Sequence, residues 1–246
     1  MIESGALDVT IVIPAFNEAL RLPKTLTALV EWMDTRPETF EVIVVDDGST
    51  DATADLAKDY PSIHFESLPA NTGKGAAVRR GMQLAAGELV LMMDADLATP
   101  MSEFDLLADS IRGGADVAIG SRPLRSSTLA VRQPFLRELA GRLFNFIVQV
   151  VSGLPFMDTQ CGFKMWRSHA AKECFGHCSV DGFAFDVESL VVAKSFGYTI
   201  VEVGVKWAHQ PGAAAFTSAA SYVRHACRMF IDTITIRWNH KSTSRV

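Results

Sequence analysis

Apolar positions in the first 120 residues follow two alternating rhythms. Short unbroken runs at Val9–Ile13 (VTIVI), Val42–Val45 (VIVV), Ile63–Phe65 and Leu89–Met93 (LVLMM), with a fifth at Asp116–Gly120, read as buried strands. Pro14 closes the first, because it has no N–H to give a central ladder. Between the runs, apolar residues return every three or four positions. Leu22, Leu26, Leu29 and Val30 mark one face of a helix from about Glu18 to Met33. Further helices are predicted over Asp51–Asp59, with Ser49 and Thr50 available as caps, from Gly73–Lys74–Gly75 to about Ala86, and near Ser102–Arg112. Strands separated by helices of about 10–15 residues need crossover connections, hence a mainly parallel sheet flanked by helices.

Ligands of such sheets bind beyond the carboxyl ends of the strands. The polar clusters fall there: Asn17–Glu18, Asp46–Asp47 and Asp94–Asp96. Residues 1–120 are therefore expected to form a nucleotide-binding half. The pattern changes afterwards. Pro134–Phe156 is strongly apolar, with Phe135, Leu136, Leu139, Leu143, Phe146, Ile147 and Val150 at helical spacing, but Arg137, Glu138, Arg142, Asn145 and Gln149 interrupt it. Gly182–Phe196 and Ser218–Trp238 read as further amphipathic helices, and Ile200–Val205 as a late strand.

The chain of 246 residues shows no repeat, low-complexity segment or linker, so a single domain spanning 1–246 is expected, with 121–246 as its second half. A net charge of −5 leaves no electrostatic footprint for nucleic acid. Charge is uneven, however: five arginines and one acid lie between Ser121 and Arg142, and five basic residues and one acid follow from Arg224. Solvated faces explain each cluster as simply as a ligand does. There is no basic segment leading into a long apolar run, so no signal peptide is expected. No stretch reaches the ~18 apolar residues of a spanning helix. The unevenly placed cysteines Cys161, Cys174, Cys178 and Cys227 suit reduced thiols of a cytoplasmic protein. Cys174, His177 and Cys178 lack a second ligand pair at zinc spacing.

The chemistry centres on Asp94–Ala95–Asp96, directly after an apolar strand. Two carboxylates there offer hard oxygen ligands to Mg²⁺ or Mn²⁺, which bridges the phosphates of a nucleotide diphosphate. Asp-x-Asp alone is a weak signal, since aspartates are common in turns; its place after a strand is what favours the metal. Asp46 and Asp47 stand where acids accept hydrogen bonds from a ribose or base. Gly48 and Ser49 are equally explained by a turn and a cap, although two adjacent acids are not. Gly73–Lys74–Gly75 brings backbone N–H groups and an ammonium toward phosphate, or is a plain turn.

Seven blocks, IPAFNE (13–18), VVDDGSTD (44–51), NTGKGAAVRRGM (71–82), MDADL (93–97), GSR (120–122), DTQCGFKMW (158–166) and FAFDVE (183–188), resemble the family 2 glycosyltransferases in order and spacing. The last two resemble the dolichyl-phosphate glucose synthases, with the mannose synthases as close relatives. The resemblance runs from about Val9 to Trp238. It implies a GT-A fold, Rossmann-like and α/β, and inverting transfer of a hexose from a nucleotide-sugar, UDP-glucose first, to a dolichyl or polyprenyl phosphate. It further implies that Pro14, Phe16, Glu18 and Asp47 hold the nucleoside, with Asp46, Lys74 and Ala95 beside them, and that Asp94 and Asp96 hold Mg²⁺ or Mn²⁺. Arg122 and Arg137 are expected to grip the acceptor phosphate, with Arg132 and Arg142 close to the latter. Many such enzymes carry transmembrane helices. Here the helix at 134–153 and the basic C-terminal helix are expected to make peripheral contact with the cytoplasmic membrane face. Alternatives keep the fold with GDP-mannose or a UDP-N-acetylhexosamine, or a hydroxyl acceptor needing a base at Asp181, Asp186 or Glu188. A non-catalytic nucleotide-sugar binder has less need of the acid pair.

Overall fold

The computed structural model describes residues 7–124, 129–131, 145, 147–208 and 219–240. Every residue of β1 (Val9–Ala15) is buried, as expected of a central strand covered on both faces. Its side chains divide by the pleat. Val9, Ile11 and Ile13 face a core shared with Leu22, Leu26 and Leu29 of α1 (Leu22–Met33) and with Phe104, Leu107 and Ile111 of α3 (Phe104–Arg112). Val12 faces the opposite core, with Val78 and Met82 of α2 (Lys74–Leu84), Phe175 of α4 (Ser168–Gly176) and Phe185 and Leu190 of α5 (Phe185–Ser195). The result is three layers, helix on sheet on helix.

The other strands of the main sheet are β2 (Phe40–Asp46), β3 (His64–Ser67), β4 (Leu89–Met93), β5 (Val117–Ser121), β7 (Phe163–Arg167) and β8 (Ile200–Gly204). A short β6 (Leu129–Val131) pairs in parallel with β9 (Trp207–Ala208). The seven-stranded order is β3-β2-β1-β4-β7-β5-β8. All neighbours are parallel except β7, which runs antiparallel between β4 and β5. From β1 the chain first moves outward to β2 and β3, then returns through α2 to β4 on β1's other side. The crevice outside β1 and β4 is therefore the topological switch point, where doubly wound sheets bind ligands.

Several expectations change. Pro14 does not end its strand: it lies opposite Val45 inside β1, because pairing of β1 with β4 has already stopped at Val12 opposite Met92. The predicted helix at 51–59 is a 3₁₀ segment, Ala54–Lys58. Ser49 caps nothing; its hydroxyl bonds Asp46 and accepts from the Asn17 amide. The helix expected from Glu18 begins at Leu22, after a turn closed on the Glu18 carbonyl. The C-terminal helix, α6 (Ala219–Asn239), forms as expected. Of the helix expected at 134–153, residues 134–144 and 146 lie outside the described residues, and 145 and 147–152 are helical.

Candidate active site

β4 ends at Met93, and Asp94–Ala95–Asp96 turns away from it with Leu97 in the left-handed region at φ 53°. A branched side chain tolerates that conformation poorly, so the turn needs outside support. α1 supplies it. The Thr25 hydroxyl donates to the Ala95 carbonyl over 2.6 Å. Arg21 grips Glu18 with Nε (2.7 Å) and Nη2, while its Nη1 lies 3.8 Å from the Asp96 carboxylate. That Nη1 is buried and makes no hydrogen bond. No motif marks Arg21 or Thr25, although both lie within seven positions of Glu18.

Lys74, the first residue of α2, donates from Nζ to Asp94 Oδ1 over 2.5 Å, with the Phe185 ring 5.9 Å away. The other oxygen of Asp94 lies against Gly162. A β-carbon at position 162 would sit 2.0 Å from Oδ2 and 2.4 Å from Oδ1, so any larger residue there must displace the Asp94 carboxylate. Burial and the neighbouring Asp94 charge push the Asp96 carboxyl up, against the pull of the Ala98 amide. Two carboxylates crowded in this way favour a cation between them. Among the described residues no three His, Cys, Asp or Glu side chains converge on a metal position. A divalent ion here would take the Asp94 and Asp96 oxygens and complete its shell with phosphate and water. That donor set suits Mg²⁺ or Mn²⁺ carried with a nucleotide diphosphate.

At the end of β2, Asp46 accepts from the Ser49 amide at 3.2 Å. Asp47 accepts from the amides of Thr72 and Gly73, both at 2.8 Å. Burial raises the Asp47 carboxyl, and these two amides pull it back. Its geometry is that of a splint for the loop delivering Lys74. Gly73 completes that loop at φ +126°, where a β-carbon would lie 2.3 Å from the Asp181 carbonyl. Pro14 is buried within β1, and Phe16 is half-buried where the strand opens into the crevice.

Across the sheet, Arg122 follows β5 and donates Nε (2.6 Å), Nη2 (2.8 Å) and its backbone N–H (3.0 Å) to Asp158. Its guanidinium also lies 5.6 Å from the Trp207 ring. Burial works against the charge of both partners, but each charge holds the other: Arg122 keeps its proton more tightly and Asp158 stays below the usual carboxylate range. The loop after Asp158 is anchored from below. Lys164 of β7, almost wholly buried, donates to the Cys161 carbonyl at 2.6 Å and to Asp186 of α5. Burial pushes the Asp186 carboxyl up against the pull of Lys164 and Lys74. Asp96, Asp94, Lys74, Asp186, Lys164, Asp158 and Arg122 thus form a run of acids and bases joining both halves of the crevice. Lys164 escaped notice in the sequence; the signal was a lysine inside an otherwise apolar run, FKMW. Arg137, Arg132 and Arg142 lie outside the described residues.

The three candidate bases serve other partners. Asp181 meets Arg79, and Asp186 meets Lys164. Glu188 accepts from the amides of Ser179 (3.0 Å) and Val180 (2.8 Å) and faces His240 at 3.3 Å. Among the described residues the cysteines form no metal cluster; burial drives the Cys161 and Cys174 thiols up to about 12, and His177 Nδ1 lies 2.9 Å from the Glu173 carbonyl.

The glycosyl transferase family 2 model matches residues 10–175, from β1 through α4. The chain belongs to glycosyl transferase family 2. Within family 2 it is similar to dolichyl-phosphate beta-glucosyltransferase ALG5D of Trichomonas vaginalis, 37% identical over 81% of this chain and 65% of that one. It is also similar to the dolichyl-phosphate beta-glucosyltransferases of Dictyostelium discoideum (32%; 95% of this chain, 77% of the relative) and Homo sapiens (33%; 85% and 70%). The chain thus spans between about two thirds and three quarters of these relatives' lengths. Among solved structures, mannosyl-3-phosphoglycerate synthase from Rubrobacter xylanophilus superposes with a TM-score of 0.68 at 20% identity, over 96% of this chain and 76% of that one. Glucosyl-3-phosphoglycerate synthase from Mycobacterium tuberculosis, in complex with Mn²⁺, UDP and glucosyl-3-phosphoglycerate, gives 0.68 at 20%, over 94% and 79%. The family 2 chain is a glycosyltransferase with the expected GT-A fold.

Proposed function

We propose that this enzyme transfers glucose from UDP-glucose to a dolichyl or polyprenyl phosphate, with inversion at the anomeric carbon. The observation that carries the reading is the joining of two sites in one crevice. An acid pair suited to a nucleotide diphosphate stands at the β1/β4 switch point, and an arginine held by a buried acid stands beyond β5. The identity to dolichyl-phosphate beta-glucosyltransferases over most of the chain supports the choice of sugar and acceptor.

On this reading the nucleoside lies over Pro14, Phe16 and the Asp46–Asp47 turn, and the diphosphate runs toward Lys74 and Ala95. Asp94 and Asp96 would hold Mg²⁺ or Mn²⁺, which supplies charge neutralisation to the departing nucleotide. Arg122, fixed by Asp158, receives the acceptor phosphate and offsets the repulsion between two anionic substrates. Arg137 is assigned to the same phosphate by the resemblance alone. A phosphate monoester already carries roughly −1.5 to −2 charge near neutral pH, so its oxygen attacks without a general base. β7 of the second half lies between β4 and β5 of the first, which supports reading the chain as one unit.

No described helix is long and apolar enough to cross a membrane. α6 instead presents Phe230, Ile231, Ile234 and Trp238 outward, while Thr233 and Ile236 face the protein. Val150 is exposed on the neighbouring helical segment, joined to α6 where Arg237 donates to the Ser152 carbonyl. An aromatic and aliphatic stripe with arginines beside it suits the interfacial zone of a bilayer. We assign α6 to peripheral contact with the cytoplasmic leaflet. The test is to incubate the protein with membranes and each labelled nucleotide-sugar, then identify the lipid product. Glucosyl-phosphoryl-polyprenol from UDP-glucose supports the reading. A product labelled only from GDP-mannose or a UDP-N-acetylhexosamine changes the donor, and a product on a hydroxyl overturns the acceptor.

A further inference from the structure

The pair between Lys74 and Asp94 is odd for a site meant to hold a dication. Asp94 Oδ1 receives the ammonium at 2.5 Å, and the carboxylate fills the space beside Gly162 that a β-carbon would occupy. The ammonium thus holds an oxygen that a metal at the acid pair would need. Lys74 is not a surface lysine that drifts away. It is the first residue of α2, set in place by the Thr72 and Gly73 amides on Asp47 and by the Gly75 amide on the Asp181 carbonyl at 2.7 Å. Asp186 offers a second anion within the ammonium's electrostatic reach.

The protein's own ligand set points the same way. Two carboxylates, one already paired with a lysine, make a poor chelate for free Mg²⁺ or Mn²⁺, which prefer six oxygens. A nucleotide diphosphate changes both sides of that competition. Its oxygens complete the metal's shell, and one of them gives the Lys74 ammonium a new partner while Asp94 is released.

We propose that Lys74 acts as a built-in competitor for the metal, so that the divalent ion enters the acid pair only together with the donor diphosphate. The inference rests on the proposed metal site and adds an order of events. Metal and donor load as one unit, and after transfer the nucleotide leaves with the metal as Lys74 returns to Asp94. An acceptor phosphate, which also binds divalent ions, then finds no metal waiting at an undonated site.

The experiment is Mn²⁺ binding followed by electron paramagnetic resonance, with and without UDP, on the wild type, Lys74→Met and Lys74→Arg. In the wild type UDP should tighten Mn²⁺ binding by about thirtyfold or more, a large coupling between two ligands. Lys74→Met, which keeps the length but not the charge, should bind Mn²⁺ alone about tenfold more tightly than the wild type and show a smaller effect of UDP. Lys74→Arg keeps the charge and should keep the strong UDP dependence. Equal Mn²⁺ affinity of wild type and Lys74→Met without UDP overturns the proposal. So does a wild-type affinity that UDP leaves unchanged, a result that needs no variant to fold. Wild type that fails to bind Mn²⁺ even with UDP overturns the metal reading itself, and this proposal with it.

Discussion

Replacing Lys164 with methionine removes the charge from the best-buried ion pair of the site while nearly preserving its volume. The side chains of Lys164 and Asp186 are 1% and 6% exposed, and Lys164 also holds the Cys161 carbonyl. Breaking one side of a buried pair costs about 3–5 kcal/mol. Asp186 limits that cost by taking up a proton. Holding an aspartate neutral at pH 7 costs about 1.4 kcal/mol for each unit above its ordinary value near 3.9, so roughly 4 kcal/mol is the ceiling. Lys74 remains in reach of Asp186 and should bring the loss toward about 3 kcal/mol.

The pH dependence is the sharper test. In Lys164→Met the Asp186 carboxyl, already raised by burial in the wild type, rises further above its unfolded value, so the folded state keeps the extra proton to higher pH. Its stability is therefore complete below the unfolded value and is lost as pH rises toward the folded one. The deficit relative to wild type should be about 3 kcal/mol at pH 7 and shrink to about 1 kcal/mol near pH 4.5. Urea unfolding at the two pH values measures it. The double variant Lys164→Met with Asp186→Leu should recover to within about 1 kcal/mol of wild type at pH 7, since an apolar pair needs no counter-charge. Its activity should stay low, because the Cys161 carbonyl has lost its anchor beneath the Asp158–Gly162 loop. A deficit that does not vary with pH, or one below about 1 kcal/mol, would refute the reasoning.

Asp94→Asn or Asp96→Asn should lower turnover by about a hundredfold, roughly 2.7 kcal/mol of lost electrostatic stabilisation, and EDTA should mimic the loss until Mn²⁺ or Mg²⁺ is restored; full activity in excess chelator contradicts this. Gly162→Ala drives a β-carbon into the Asp94 carboxylate and should cut turnover at least about tenfold while destabilising the fold by only about 1–3 kcal/mol, checked by steady-state rates beside thermal unfolding. Arg122→Ala should raise the apparent KM for lipid phosphate more than that for UDP-glucose. Lysine should rescue it only partly, since a point charge cannot reproduce the fork on Asp158. Trp238→Ala together with Ile234→Ala should reduce flotation with anionic vesicles without lowering turnover on a short-chain acceptor; equal flotation removes α6 from the membrane contact.

The strands at β1, β2, β4 and β5 were legible because each is a run of apolar residues long enough to be covered on both faces. The acid pair was legible because a strand-end rule says where to look. β7 was not, and the reason is Lys164. A lysine in the middle of a strand reads as a solvated position until Asp186, brought from α5, makes burial affordable. α4 was missed for the opposite reason: of its inward residues Ala170, Ala171, Cys174 and Phe175, three are too small to draw an apolar stripe. Arg122 was chosen from its motif, but its partner Asp158 is 36 positions away and no spacing rule joins them. Asp47 was assigned to the nucleoside, and its carboxylate is found on two loop amides. A carboxylate at a strand end serves either purpose, and sequence alone does not tell which amides will fold toward it.

The acids of the second half bear on the acceptor. A hydroxyl nucleophile requires a base with an oxygen facing the reacting centre and free to take a proton. Glu188 spends its oxygens on the Ser179 and Val180 amides and on His240, and Asp186 spends its charge on Lys164. Asp158 is held below the ordinary carboxylate range by Arg122, which makes it a weak base as well as a buried one. Asp181 pairs with Arg79 beyond the N-terminus of α2, where its backbone carbonyl also receives the Gly75 amide. In each case the carboxylate positions a cation or a loop. Among the described residues, what the second half brings to the crevice is Arg122 braced on Asp158, a guanidinium fork suited to a phosphate. A phosphate monoester is already ionised and needs no base, whereas a sugar hydroxyl needs one. The arrangement of charges thus argues for a phosphate acceptor independently of the relatives.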